Sequence, residues 1–175
     1  MMIITTPRLI LRPANHADFA ATYKLLSDPE VMHFSLNGPY SQQKTTDFIN
    51  HCLRQREQNL PGLLAVISKT DDVLIGYCGF YLQKINGIDE VELGYRLLKA
   101  YRGKGLATEA ATAMKKHAFE EFGLTRLISI IDKKNTASAR VAEKVGLTLE
   151  KEMLYNNRIQ ISIYATPPED DTNNN

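Results

Sequence analysis

The sequence predicts an α+β domain built on a mixed, mostly antiparallel sheet flanked by helices. Three observations lead there. Hydrophobic periods run in the order strand, two helices, three strands, helix, strand, helix, strand. The three middle strands follow one another through short polar turns, as in an antiparallel meander. Neither a repeat nor a linker divides the 175 residues, a length that suits one hydrophobic core. The domain is expected over residues 1–166, with a polar, flexible tail at 167–175.

Each element has its own signal. Arg8–Arg12 alternates and ends at Pro13, which reads as a strand. Asn15, with Asp18 three residues on, forms a helix start; Phe19, Tyr23 and Leu26 keep helical spacing down to Asp28-Pro29. Ser41 caps a second helix with its stripe at Phe48, Ile49, Cys52 and Leu53, and Pro61-Gly62 lies beyond its end. Leu63–Ser68 and Val73–Leu82 make a hairpin around the polar turn Lys69–Asp72. Gly76 and Gly79 inside it mark a bulge or a close backbone approach. Asn86–Asp89 is the next turn, and Glu90–Leu98 is the fourth strand. Ala107, Ala110, Ala111, Met114, Ala118 and Phe122 then share one helical face before Gly123. Arg126–Asp132 is a strand. Asn135 caps a last helix with Ala137, Val141, Ala142 and Val145 inside, closed by Gly146, and Ile159–Tyr164 is the final strand.

Composition excludes several classes. A 43% hydrophobic and 23% charged chain is neither disordered nor fibrous. A net charge of +1 offers no global field for nucleic acid, so any anion site is local. No apolar run is long enough to span a bilayer, and the start MMIITTPRLILRP turns polar at Thr5, unlike a signal peptide. Cys52 and Cys78 form no CxxC pair; they read as small buried hydrophobes in a reduced, cytoplasmic compartment. The four His have no zinc-type spacing, and no metal is expected.

The stretch Tyr101–Ala110, YRGKGLATEA, stands between a strand and a helix. The first N–H groups of a helix lack internal partners and the helix dipole is positive there, so a glycine-rich turn at this point suits an anion, above all a phosphate. A Walker loop fails because Leu106 follows Gly105, and a dinucleotide fingerprint fails because Thr108 stands at its third glycine. An ATP-type nucleotide site is therefore the weakest reading. The pattern R/Q-x-x-G-x-G/A fits Arg102–Ala107. Taken alone, the turn also fits a plain tight turn with solvated cations.

That pattern resembles the pyrophosphate loop of the GNAT acetyltransferase superfamily. Glu92-Leu93-Gly94-Tyr95 resembles the family's fourth-strand segment, and Asn135–Leu147 (NTASARVAEKVGL) resembles its second half-site. Thr6–Pro13 and Asp28–Met32 resemble the branch of ribosomal-protein N-terminal acetyltransferases. The likeness runs from about Pro7 to Tyr164 with the elements in family order.

The resemblance implies a twisted sheet splayed after the fourth strand, and acetyl-CoA as cosubstrate in the opening. It implies cofactor contacts at Leu97 and Leu98 for the pantetheine arm. Arg102, Gly103, Lys104, Gly105, Leu106 and Ala107 would hold the pyrophosphate, mostly through backbone N–H groups, and Thr108 would add a hydroxyl. Asn135 and Ser138 would contact the cofactor from the far side of the splay, while Asn135 serves equally as a plain N-cap and Ser138 as a helix-surface residue. Arg140 reads as solvated surface or a contact to the 3′-phosphate.

Acyl transfer to an amine needs a deprotonated nucleophile, and Glu92 is the candidate base. Glu90 shares its strand face and is the second candidate. A backbone N–H near Leu97 would serve the oxyanion. Many relatives carry a Tyr in the last helix as proton donor to the thiolate; Ala142 stands there, with Tyr155 and Tyr164 as substitutes. The expected partner is an amine acceptor, a peptide or protein N-terminal α-amine before a small amine, with neither nucleic acid nor membrane involved. The loop Met32–Tyr40 lines the acceptor side or packs as core. The chain is expected to act as a monomer or homodimer. A catalytically weak acyl-CoA-binding or sensor protein is the alternative.

Overall fold

A computed structural model describes residues 3–57, 62–156 and 158–167, with the side chains of 56 and 57 left aside. One sheet runs β1 (Ile4–Thr5), β2 (Leu9–Pro13), β3 (Leu63–Ser68), β4 (Val73–Ile85), β5 (Ile88–Leu97), β6 (Ile128–Asp132), β8 (Ile159–Ala165) and β7 (Thr148–Tyr155), in that spatial order. The helices are α1 (Phe19–Leu26), α2 (Gln42–Glu57), α3 (Leu106–Phe122) and α4 (Thr136–Lys144). The tail expected at 167–175 lies outside the described residues from position 168 on, as does Pro61.

The two-residue side-chain period of β3 explains the layering. Leu64 and Val66 join the core under α3 and α4, with Phe80, Leu93, Leu97 and Met114. Leu63, Ala65 and Ile67 join the core under α1 and α2, with Leu25, Leu26 and Tyr77. A strand buried on both faces is expected to be apolar, and LLAVIS is so up to its last residue, Ser68. On α3, Ala110, Ala111, Met114 and Ala118 are fully buried, so small side chains let this helix sit close to the sheet. Phe122 leaves that face and packs edge-on against His117, ring centroids 5.4 Å apart.

Local signals decide the boundaries. The Asn15 side chain accepts from Ala17 N–H at 2.8 Å and Asp18 answers the Asn15 N–H at 2.8 Å, a capping box. Ser41 Oγ accepts from Lys44 N–H at the start of α2. Gly123, at φ 63°, closes α3. A Cβ at Gly76 would sit 2.1 Å from the Arg96 carbonyl oxygen, so the expected close backbone approach is real.

Three corrections to the sequence reading follow. Asn86 (φ 50°) and Gly87 (φ 82°) alone make the turn, so β5 starts at Ile88 rather than Glu90. A two-residue β1 pairs with β2. The charged segment TLEKEMLY is strand β7, pairing with β8 at the sheet edge. Its apolar alternation is faint because most of it is exposed, as suits an edge strand that must not recruit another chain.

Candidate active site

All neighbouring strands are antiparallel except β5 and β6, which run parallel and share one registered pair, Glu92 with Ile128. Just past it Ser129 Oγ donates to the Leu93 carbonyl at 2.7 Å. Beyond that bridge the strands diverge, and a cleft of about 1130 Å³ opens between Gly94–Leu97 and Ile130–Asp132. This is the splay after the fourth strand of the sequence, here β5.

Register decides which β5 groups face the opening. Leu98 N–H donates to the Ile75 carbonyl at 2.8 Å. Antiparallel pairing alternates, so Gly94 and Arg96 point their main-chain groups at β4, whereas Tyr95 and Leu97 point theirs into the gap. The Leu97 carbonyl accepts from Arg102 Nε at 3.1 Å, and its N–H is left toward the cleft. Leu98 does not fit its expected role: its N–H goes to Ile75, its carbonyl accepts from Tyr101 N–H, and its side chain packs under α1 and α2. The main-chain groups of Tyr95 face the gap instead.

The loop before α3 is a donor cradle. Gly103 (φ 72°) and Gly105 (φ 77°) both lie in the left-handed region, which turns successive N–H groups to one side. The Arg102 N–H bonds to Lys99 and the Glu109 N–H to Gly105, but the N–H groups of Gly103, Lys104, Gly105, Leu106, Ala107 and Thr108 meet no acceptor among the described residues. They sit at the positive end of a 17-residue helix. Such a row of orphan donors beside a large cleft fits a pyrophosphate.

Arg8 braces this loop: its Nη1 donates to the Lys104 carbonyl at 2.8 Å and its Nε pairs with Glu109 at 2.6 Å. Glu109 also accepts from Thr6 Oγ1 at 2.6 Å and Arg8 N–H at 2.8 Å. Burial pushes the Glu109 carboxyl up, but these donors outweigh it and hold it below its ordinary range. The bracing pairs residues about a hundred positions apart, so no local pattern carries it.

Of the predicted site residues, Glu92, Leu97, Arg102, Gly103, Gly105, Leu106, Ala107, Thr108, Asn135 and Ser138 line the cleft; Leu98 and Lys104 do not. The Lys104 ammonium lies over the Tyr101 ring, 5.4 Å from its centroid. Asn135 is an N-cap, its Oδ1 accepting from Ser138 N–H at 3.2 Å, and it also lines the cleft. Tyr95 OH donates to the Ser138 carbonyl at 2.7 Å and ties α4 to β5 across the opening.

Glu92 lines the cleft where the strands part. Burial raises its carboxyl above the ordinary range, while Gln83 Nε2 (2.6 Å from Oε2), the Ile130 N–H and Arg96 act in the opposite sense. Glu90 is taken: Arg126 Nε and Nη2 hold it at 3.0 Å, while Arg126 Nη1 reaches Glu150 at 2.8 Å. That fork ties β5 to β7 and removes Glu90 from the cleft. Tyr155 lines the cleft, whereas Tyr164 is buried in the core with Ala142.

On the other face, Met32 is core, while His33, Phe34, Leu36, Asn37 and Tyr40 line the cleft, so the loop is part core and part cleft wall. Tyr40, Phe48 and Tyr77 pack edge to face, with centroids 6.3 and 4.9 Å apart. Cys52 and Cys78 are buried as expected, and burial pushes the Cys52 thiol up to about 12. Among the described residues no cluster of three or more His, Cys, Asp or Glu is assembled, and no helix is long and apolar enough to cross a membrane.

Comparisons with known proteins agree with this geometry. Residues 8–148 match the family model described as Acetyltransferase (GNAT) domain. YnaD of Bacillus subtilis (strain 168), described as an uncharacterized N-acetyltransferase, is 34% identical over 149 residues, which are 85% of this chain and 84% of that protein. The crystal structure of a GNAT-family acetyltransferase from Bacillus anthracis superimposes with a TM-score of 0.79 at 30% identity, covering 94% of this chain and 97% of that one. RimL, a ribosomal α-N-protein acetyltransferase in complex with coenzyme A, shares the fold with a TM-score of 0.80 at 21% identity, covering 94% and 97%.

Proposed function

The chain belongs to the GNAT acetyltransferase family and is an acetyl-CoA-dependent acyltransferase; from that premise we propose that it acetylates a peptide or protein N-terminal α-amine, with Glu92 as general base. One observation carries the reading: a carboxylate with a raised proton affinity stands in the cleft where β5 and β6 part, close to main-chain groups left unpaired by the splay.

Each residue then has a task. The N–H row from Gly103 to Thr108 binds the pyrophosphate of acetyl-CoA, and Arg102, tied to the Leu97 carbonyl, fixes the loop against β5. Main-chain groups of Tyr95 and Leu97 hold the pantetheine arm along the strand edge, and Asn135 and Ser138 border it from α4. Glu92 accepts the proton of the acceptor ammonium, directly or through one water, which frees the nitrogen lone pair. The nitrogen forms a bond to the thioester carbon, and the carbonyl electrons move to oxygen, which the Leu97 N–H receives. The cationic nitrogen of this intermediate gives its second proton to water, and collapse then breaks the C–S bond and leaves amide and thiolate. Tyr155 protonates the thiolate in place of the Tyr that Ala142 lacks.

The peptide acceptor draws support from the fold shared with RimL and from the open, aromatic-walled face formed by Phe34, Tyr40 and Phe48. The competing reading, an acyl-CoA sensor, rests on buried Ala142 and predicts binding without turnover.

The test is CoA release from acetyl-CoA with peptide acceptors across pH, in wild type and Glu92→Gln. The wild-type rate should rise through a single acidic limb, and Glu92→Gln should lose that limb together with about 100-fold or more in kcat. An unchanged rate and profile would remove Glu92 from the mechanism. Tight CoA binding with no turnover on any acceptor would favour the sensor.

A further inference from the structure

The α1–α2 face of β5 carries a second charged group that the chemistry above does not use. Glu92 and Arg96 lie on that face with Gly94 between them, and all three line the cleft. Their Cα atoms are about 13 Å apart, four residues at about 3.3 Å each. Gly94 leaves the floor between them bare of a side chain. The Tyr81 ring occupies that spot instead, and a Cβ at Gly94 would meet its Cε2 at 2.7 Å. The result is a trough with a carboxylate at one end, an aromatic floor and a guanidinium at the other.

Arg96 is half-buried, yet its guanidinium makes no hydrogen bond or ion pair among the described residues. Glu92 acts on it through space, but no neighbour bonds its guanidinium. Tyr77 is its cross-strand partner, and Tyr77's hydroxyl is bonded to Thr22 Oγ1 at 2.8 Å. Lys99, near the mouth, is matched by Glu30 at 2.7 Å, and Arg102 spends its Nε on Leu97. The CoA cradle begins α3, which packs on the opposite face of the sheet with Leu97 and Met114. A guanidinium drawn partly out of water without a hydrogen-bonded counter-charge is unfavourable until something anionic meets it.

The geometry points to an acceptor that carries a carboxylate as well as the reactive amine, with Arg96 reading the carboxylate. The two charges of the trough match such a molecule end to end: ammonium toward Glu92, carboxylate toward Arg96. In a peptide acceptor this is an acidic residue near the free N-terminus. The same trough disfavours polyamines, whose second ammonium would lie against Arg96. This inference rests on the reading of Glu92 as the base, and it concerns specificity rather than the chemical step.

The test compares two peptides with the same free N-terminal residue, differing only by Glu or Gln at the third position, with wild type and Arg96→Gln. Wild type should show a KM about tenfold lower for the acidic peptide, the gain of a single charge-assisted contact. Arg96→Gln should bring the ratio of the two KM values to about one, and Arg96→Glu should turn the preference toward a Lys peptide. Each ratio is internal to one protein, so a partly unfolded variant does not distort it. Equal KM values in wild type, or a preference that survives Arg96→Gln, overturn the proposal. So does a loss in Arg96→Gln that is the same for both peptides, because that assigns Arg96 to tuning Glu92. If neither peptide is turned over, the α-amine reading fails; calorimetric binding of the same pair to the CoA-loaded protein then still decides on Arg96, by the same ratio.

Discussion

Replacing Gly105 by Val asks whether backbone geometry or cationic charge holds the pyrophosphate. Gly105 sits at φ 77° and caps the start of α3. An ordinary L residue pays about 1–2 kcal/mol in that region, and a β-branched one is a steric outlier. A Cβ there meets only Arg8 Nη2, at 3.5 Å, so crowding adds little and the backbone strain is the perturbation. The loop relieves the strain by turning N–H groups out of the cradle. Losing one charge-assisted hydrogen bond, about 1.5–3 kcal/mol, raises the Kd for CoA by about 10- to 150-fold. Lys104→Ala removes an exposed ammonium that lies over Tyr101 and does not line the cleft. Its expected effect is under about threefold, the scale of an exposed charge. Gly123→Val is the control: φ is 63° with open space around it, at the far end of the same helix. It should lower the melting temperature as Gly105→Val does and leave CoA affinity alone. Isothermal titration of the three variants with CoA decides. A larger loss in Lys104→Ala than in Gly105→Val, or an equal loss in Gly123→Val, would refute the cradle.

Three further outcomes are expected. Glu92 has a folded-state affinity for protons above its unfolded value, so the native state loses stability as pH rises from about 4.3 through the raised value. Glu92→Gln should therefore melt higher than wild type at pH 8 and level with it at low pH; an equal gap at both pH values contradicts the burial argument. For Asp18 the sign reverses: burial pushes it up, but the Arg12 fork (2.7 and 2.9 Å) and the Asn15 N–H hold it below its ordinary range. Its stabilisation is present above about pH 4 and fades below, so Arg12→Met should cost about 2 kcal/mol in urea unfolding at pH 7 and much less at pH 3. Arg8→Met releases the Lys104 carbonyl and Glu109, which should raise the CoA Kd about fivefold, near 1 kcal/mol, with little change in kcat. An unchanged Kd would mean the loop holds its shape without the brace.

Much of this molecule is written in short stretches. The Asn15–Asp18 capping box, the Ser41 and Asn135 caps, the Asn86-Gly87 turn and the glycine loop before α3 each depend on residues within a few positions of one another. Local dihedral preferences and local hydrogen bonds suffice to specify them. For that reason the element order, the anion cradle and the family resemblance were legible, and the comparisons bear out the family and fold. The charged edge strand β7 was not, because an exposed strand has little apolar alternation to read.

Tertiary structure decided what no local pattern contains. Which β5 residue turns its main chain to the cleft depends on register against β4, and a shift of one position exchanges Leu98 for Tyr95. Both Glu90 and Glu92 fit a catalytic carboxylate by alternation. Arg126, 36 residues on, claims the first, and burial raises the proton affinity of the second against the opposing bond from Gln83. Tyr155 and Tyr164 are alike in sequence, yet packing puts one in the cleft and the other in the core. Nothing local marks Arg96; the sheet leaves its guanidinium half-buried without a bonded partner among the described residues. By itself the sequence determined the glycine loop and its row of N–H donors, since that is backbone geometry set by neighbouring residues. The side-chain lining of the cleft was decided only by the fold, since pairing and packing bring it together from distant segments.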